Sequence, residues 1–199
     1  MAKAAKAKPA AKAKKVVVLL GSPRKSGNSA ALAQAIAEGA QAAGAEVESF
    51  YLHGMTIKPC TACEGCHQPE SSGCVIQDDM QKVYPVLVAA DALVFASPIY
   101  WFTMSAQLKL AVDRCYALIG AKGHAFKGKR IGLAFSYGAP DPFDSGCVNA
   151  IRAFQDAFRF IEAPIVGMVY GSGGAPGEIR KNTALLDEAA DLGKKLAVG

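Results

Sequence analysis

Residues 16–20 read Val-Val-Val-Leu-Leu, an unbroken apolar run followed at once by Gly21-Ser-Pro-Arg-Lys-Ser-Gly27 and then by an Ala-rich stretch of helix-forming composition. A strand that is apolar on both faces must be covered on both sides, which is the situation of a strand inside a parallel sheet. The same unit of strand, loop and helix recurs along the chain. Further strands are expected over 47–52, 92–96, 130–137 and 165–170, and helices over 28–43, 78–89, 104–118, 145–160 and 183–196. Asn28 or Ser29 suits a cap for the first helix and Ser145 for the fourth. Asp78 and Asp79 open the second helix at the end where its dipole favours acids. Strands alternating with helices predict βαβ units, hence an α/β doubly wound, five-stranded parallel sheet with helices on both faces.

A length of 199 residues suits one core, and no Gly/Ser linker or repeat divides residues 16–199, so one domain is expected there. No apolar run approaches the ~18 residues a membrane-spanning helix needs. The formal charge of +5 is misleading, because six lysines (Lys3, Lys6, Lys8, Lys12, Lys14, Lys15) lie in the first fifteen residues. Removing those six leaves −1 for the remainder, which argues against a nucleic-acid face. Residues 1–15 are almost wholly Ala and Lys, with no apolar stripe and no secretory h-region, and are expected to form a solvated, disordered tail. Six cysteines without an export signal point to a reducing, cytoplasmic setting, where grouped thiols are metal ligands or catalytic more often than disulfides.

Ligands of such sheets bind beyond the carboxyl ends of the strands, at the point where chain direction reverses. The first loop sets Ser22, Arg24, Ser26, Asn28 and Ser29 directly before a helix N-terminus, a phosphate-binding arrangement of hydroxyls, a guanidinium and backbone N–H groups. It has neither P-loop nor G-x-G-x-x-G spacing, so a single terminal phosphate suits it better than ATP or a dinucleotide; an ordinary strand-to-helix turn is the plainer alternative. The third strand ends in Pro98-Ile99-Tyr100-Trp101-Phe102, with three successive aromatics that cannot all face a core. They suit a flat ring system, or else a sheet edge or subunit interface. Ser136, Tyr137 and Gly138 end the fourth strand with groups able to bond a ligand edge.

Cys60, Cys63, Cys66 and Cys74 follow C-x2-C-x2-C-x7-C, spacing that lets thiolates wrap one soft centre, an iron–sulfur cluster or zinc. Bare thiols or a disulfide remain open at this stage. His67 is read as a polar neighbour, Cys115 and Cys147 as packing residues, and His53 and His124 as loop residues with no acid–base role.

Taken together, Gly21 to Asn28, Ser97 to Trp101, and Lys109 with Asp113 and Arg114 resemble the NADPH-dependent FMN reductase family of flavodoxin-like proteins over residues 16–170. The four-cysteine run ahead of Asp78-Asp79-Met80 resembles that family's iron–sulfur flavoprotein branch. The resemblance implies a flavodoxin-like FMN oxidoreductase, with the first loop at the phosphate and residues 98–102 beside the ring. It implies a [4Fe–4S] cluster on the four cysteines, with electrons passing singly between cluster and FMN. The implied donor is a ferredoxin-like protein if the cluster is present. If it is absent, NAD(P)H is implied, with a quinone or other aromatic acceptor. A homodimer or homotetramer is implied as well. Lys109, Asp113 and Arg114 are read as surface ion pairing on a helix. The rivals are a non-enzymatic flavodoxin-like electron carrier and an FMN-free module for another phosphorylated ligand.

Overall fold

The computed structural model describes residues 13–198. The strands of its parallel sheet are β1 (Lys15–Leu20), β2 (Glu46–Tyr51), β3 (Ala92–Tyr100), β4 (Arg130–Tyr137) and β5 (Ile165–Ser172), with a separate small antiparallel pair at Ile119–Gly120 and Gly123–His124; its α-helices are α1 (Asn28–Ala42), α2 (Met80–Ala89), α3 (Ala106–Arg114), α4 (Cys147–Phe160) and α5 (Thr183–Ala197). The strands lie in the order β2-β1-β3-β4-β5, all parallel. Thr103–Met104 folds back antiparallel on the end of β3. The expected flavodoxin-like sheet is therefore present, with its switch point between β1 and β3.

The apolar run in β1 serves both layers. Val17 and Leu19 enter the core under α2, α3 and α4, whereas Val16 and Val18 enter the one under α1 and α5. Successive strand residues point to opposite faces, so a strand flanked by helices on both sides needs apolar residues throughout. The edge strands β2 and β5 are only partly buried. α1 and α5 cross backbone to backbone: a Cβ on Gly39 would stand 2.0 Å from the Ala190 oxygen, and one on Gly193 would stand 1.9 Å from the Ile36 oxygen.

Several boundaries differ from expectation. β3 runs on to Tyr100 because Ser97 and Pro98 still pair with Phe135 and Ser136 of β4. α2 starts at Met80, since the carboxylates of Asp78 and Asp79 accept the Met80 and Thr56 N–H groups ahead of it. α3 starts after Ser105, whose Oγ accepts from Leu108 N, and tightens into a 3₁₀ turn over Cys115–Leu118. Neither Asn28 nor Ser29 caps α1; Gly27 stands at that position with no side-chain cap. Ser145 is not the cap of α4 either, because Gly146, at φ +73°, holds it. The tail boundary also moves. Lys15 already belongs to β1 and Lys14 Nζ meets Asp91 at 3.3 Å, while residues 1–12 of the expected tail lie outside the described residues. Among the described residues no helix is long and apolar enough to cross a membrane.

Candidate functional site

The loops after β1, β3, β4 and β5 enclose a crevice of about 190 Å³ at the carboxyl edge of the sheet. Ser22, Arg24, Gly27, Asn28 and Ser29 form one wall, Pro98, Ile99 and Tyr100 the second, and Ser136, Tyr137 and Gly138 the third. Gly173, Gly174 and Pro176 form a fourth wall. Of the residues expected at a ligand, the structure thus brings together all but Ser26, Trp101 and Phe102. Ser26 is exposed, and the Trp101 and Phe102 rings turn outward at 92% and 54% exposure.

The first wall is electrostatically prepared for an anion. α1 has no side-chain cap and no acid in its first turn. The first bond closing the helix runs from Ala31 N to Gly27 O, which leaves the N–H groups of Asn28, Ser29 and Ala30 without intrahelical acceptors. The Ser22 hydroxyl folds the loop by accepting from Arg24 N at 3.0 Å and donating to Arg24 O at 3.1 Å. Tyr51 holds it from behind through a 2.6 Å bond to Pro23 O. An open helix N-terminus beside a guanidinium and two buried serines matches the donor set a phosphate requires.

The walls are joined by buried polar contacts. Ser97 Oγ accepts from Ser105 N at 2.9 Å, and Ser105 Oγ donates to Gly21 O at 2.7 Å, so the end of β3 and the start of α3 are tied to the first loop. Gly21 permits this approach, because a Cβ there would lie 2.8 Å from Ser105 Oγ and 2.7 Å from Leu108 Cβ. The Asn28 amide donates to Gly173 O (2.8 Å) and Ala175 O (3.0 Å), and its oxygen accepts from Ile179 N (3.1 Å). Asn28 therefore anchors the fourth wall with its side chain and faces the crevice with its backbone.

Tyr100 pairs with Thr103, and Trp101 and Phe102 form the two-residue tip between them at φ +48° and +67°. Two positive-φ residues define a type I′ turn, which Asn-Gly ordinarily fills. The tip packs against α4: Asn149 Nδ2 donates to Phe102 O, and a side chain at Gly146 would come within 2.7 Å of Phe102 Cα.

Cys60, Cys63, Cys66 and Cys74 line a second, narrow cavity together with Arg114 and Tyr116. Cys60 and Cys63 are exposed and the other two half-buried, all as free thiols. Hydrogen bonds from Gly65 N–H and the Thr61 hydroxyl lower the Cys63 pKa, whereas burial raises that of Cys66. Among the described residues no three metal-ligating side chains converge tightly enough for a single ion. Zinc needs its sulfurs about 2.3 Å from one point; a cubane cluster presents separate iron corners, so its thiolates need only surround a shared cage. The four thiols match such a cluster in softness, and they line one narrow cavity. Ala62 and Glu64 carry positive φ on either side of Cys63 and bend the chain around that cavity.

Arg114 corrects the reading of a surface ion pair. Lys109 and Asp113 do pair on the surface at 2.6 Å, but Arg114 is buried and meets Asp78 instead. His67 contacts Glu64 and Tyr116 O. Cys115 and Cys147 are buried in the core, and burial pushes both thiols up to about 12.

The sequence profile of the NADPH-dependent FMN reductase family matches residues 14–177. The chain belongs to this family. It is accordingly a flavin-dependent oxidoreductase with FMN as its cofactor. An iron-sulfur flavoprotein of Methanosarcina thermophila is 31% identical over 185 residues, covering 92% of this chain and 93% of the relative. Another iron-sulfur flavoprotein, from Archaeoglobus fulgidus, is 32% identical over 188 residues and covers 92% and 79%. The solved NAD(P)H:quinone oxidoreductase from Methanothermobacter marburgensis shares the fold with a TM-score of 0.72 at 20% identity, covering 94% of this chain and 99% of that one. Within this family member the fourth wall and the burial of Arg114 were not read from sequence. The Gly171-to-Gly177 stretch after β5 carried a signal for the wall, since every strand of such a sheet ends at the same edge. Arg114 carried none, because its partner lies 36 residues away on another element.

Proposed function

We propose that FMN binds in the four-walled crevice, with its phosphate on the N-terminus of α1 and its ring system along Pro98, Ile99 and Tyr100. The observation that carries this reading is the uncapped first turn of α1, Ser29 included, beside Ser22 and Arg24 on one wall of the crevice. Arg24 and the Asn28, Ser29 and Ala30 N–H groups hold the phosphate, and Ser136, Tyr137 and Gly138 bond the ring edge. When bound, FMN supplies hydride acceptance and one-electron transfer, and the protein contributes position, electrostatics and exclusion of water. The donor is NAD(P)H, or a ferredoxin-like protein where the cysteines hold a cluster, and the acceptor a quinone or other aromatic, in a single cytoplasmic domain that assembles as a homo-oligomer.

The cysteine-lined cavity favours a second redox centre, a [4Fe–4S] cluster on Cys60, Cys63, Cys66 and Cys74, with a ferredoxin-like protein as one-electron donor. The carrier alternative predicts exchange with a protein partner and no steady NAD(P)H oxidation.

The test compares FMN with riboflavin, which lacks the phosphate. Titration of the flavin-free protein should show much tighter binding of FMN, and Arg24→Ala should narrow that difference at least tenfold while riboflavin affinity holds. Equal affinity of the wild-type protein for both flavins would sink the phosphate assignment. Iron and sulfide analysis of anoxically purified protein tests the cluster, and an iron-free wild type counts against it.

A further inference from the structure

Arg114 ends α3, yet its side chain is fully buried against both ends of the cysteine segment. Nη1 donates to Lys58 O at 2.9 Å and to Asp78 Oδ2 at 2.5 Å; Nη2 donates to Asp78 Oδ1 at 3.2 Å and to Cys74 Sγ at 3.3 Å. Asp78 Oδ2 in turn accepts from Lys58 N at 2.9 Å. Residues 58 and 74–78 are thereby closed on one buried ion pair; Cys60, Cys63 and Cys66 lie on the loop between them, and Cys74 stands at its far end. Nε of Arg114 is also buried and has no acceptor among the described residues, while Arg114 itself lines the cysteine cavity. Burial works against the guanidinium charge, but Asp78 outweighs it and keeps the group protonated.

A buried ion pair is weak as a stabiliser, because desolvation offsets most of its Coulomb gain. Ordinary packing would be served as well by apolar side chains. The directed bond to sulfur and the unused donor give this pair a chemical purpose that packing lacks. We propose that Arg114 is a positioning residue of the four-cysteine site, holding Cys74 by an N–H···S bond and favouring the more reduced state of the thiolate-bound centre. The inference rests on the cysteines holding a soft metal centre. Hydrogen bonds to sulfur and local charge are among the factors that set the potential of such centres. A charge-assisted donor stabilises added negative charge more than a neutral one does.

The test uses anoxically purified wild type, Arg114→Lys, and the double variant Arg114→Met with Asp78→Asn, which leaves no unpaired buried charge. Flavin content of each protein reports that the fold is intact. In iron-containing protein, Arg114→Lys should raise the oxidised-to-reduced ratio of the cluster at least tenfold at the wild-type midpoint, about 59 mV for one electron. The double variant should lose at least half its iron. Unchanged iron content and potential in flavin-loaded variants would overturn the role of Arg114 and leave the cluster standing. If the wild type is iron-free, cadmium titration of the reduced thiols replaces the potential as readout. Tenfold weaker cadmium binding by the double variant supports the proposal, and equal binding overturns it. A wild type that takes up neither iron nor cadmium sinks the four-cysteine reading and the role of Arg114 with it.

Discussion

Asn28, in the first turn of α1, holds the carbonyl of Gly173 at 2.8 Å across 145 residues of sequence. The contact joins the wall that follows β1 to the wall that follows β5, and a Cβ on Gly173 would press to 2.7 Å from Asn28 Nδ2. Replacing Asn28 by Ala removes three hydrogen bonds at the crevice rim. At roughly 1 kcal/mol for each bond, FMN affinity should fall at least tenfold if the fourth wall moves away. Fluorescence titration of the flavin-free variant checks this, and an unchanged Kd would show that the wall does not need its anchor.

The Trp101-Phe102 tip stores backbone strain. Each non-glycine residue at positive φ costs of order 1–3 kcal/mol, and Trp101 recovers little by packing because it is 92% exposed. The double substitution Trp101→Asn, Phe102→Gly supplies the residues a type I′ turn prefers and should stabilise the protein by about 1–2 kcal/mol. Urea denaturation measures it; a lower midpoint would mean that the rings make contacts worth more than the strain.

His124 should make stability fall on mild acidification. Burial lowers its pKa below the usual 6.5, and Nδ1 accepts from Phe126 N while Nε2 lies 3.1 Å from Cys115 O. A proton added at Nδ1 would face the Phe126 N–H, so the folded chain resists protonation that the unfolded chain accepts. Between the lowered folded pKa and about 6.5 the unfolded state binds more protons, and stability therefore drops as pH falls through that window. Urea midpoints from pH 8 to pH 5 should decline in the wild type and decline less in His124→Gln. Parallel slopes would refute the assignment.

Gly193→Ala should destabilise strongly although alanine is the better helix former by ~1 kcal/mol. The added Cβ would stand 1.9 Å from Ile36 O and 2.7 Å from Ala40 N, both backbone atoms of α1 that cannot rotate away. The loss should exceed about 3 kcal/mol or prevent folding. A thermal melt near that of the wild type would show that α1 and α5 can separate at little cost.

The strands were legible from local composition, most plainly in β1, where Val16 to Leu19 are buried on both faces. The crevice wall after β1 was legible for a similar reason: its polar groups are contiguous, from Ser22 to Ser29. Helix caps were less so. Asn28 has the composition of a cap, but partners from the segment after β5 claim its side chain, and only Gly27 is left at the cap position. The aromatics of 100–102 announced a special segment without saying which ring faces inward. That choice was made by a two-residue turn, which leaves Tyr100 in the crevice and turns its neighbours out.

By itself the sequence determined the layer architecture, the family, and which contiguous stretches line the crevice and the cysteine cavity, because hydrophobic periodicity and contiguous motifs are local properties of a chain. Only the tertiary structure decided that Gly173 and Gly174 complete the crevice, that Asn28 serves as a clasp, and that Arg114 lies buried between Asp78 and Cys74. Those roles depend on which distant groups meet when the sheet closes. A side chain's hydrogen-bonding capacity is fixed by its residue type, whereas its partner is fixed by packing.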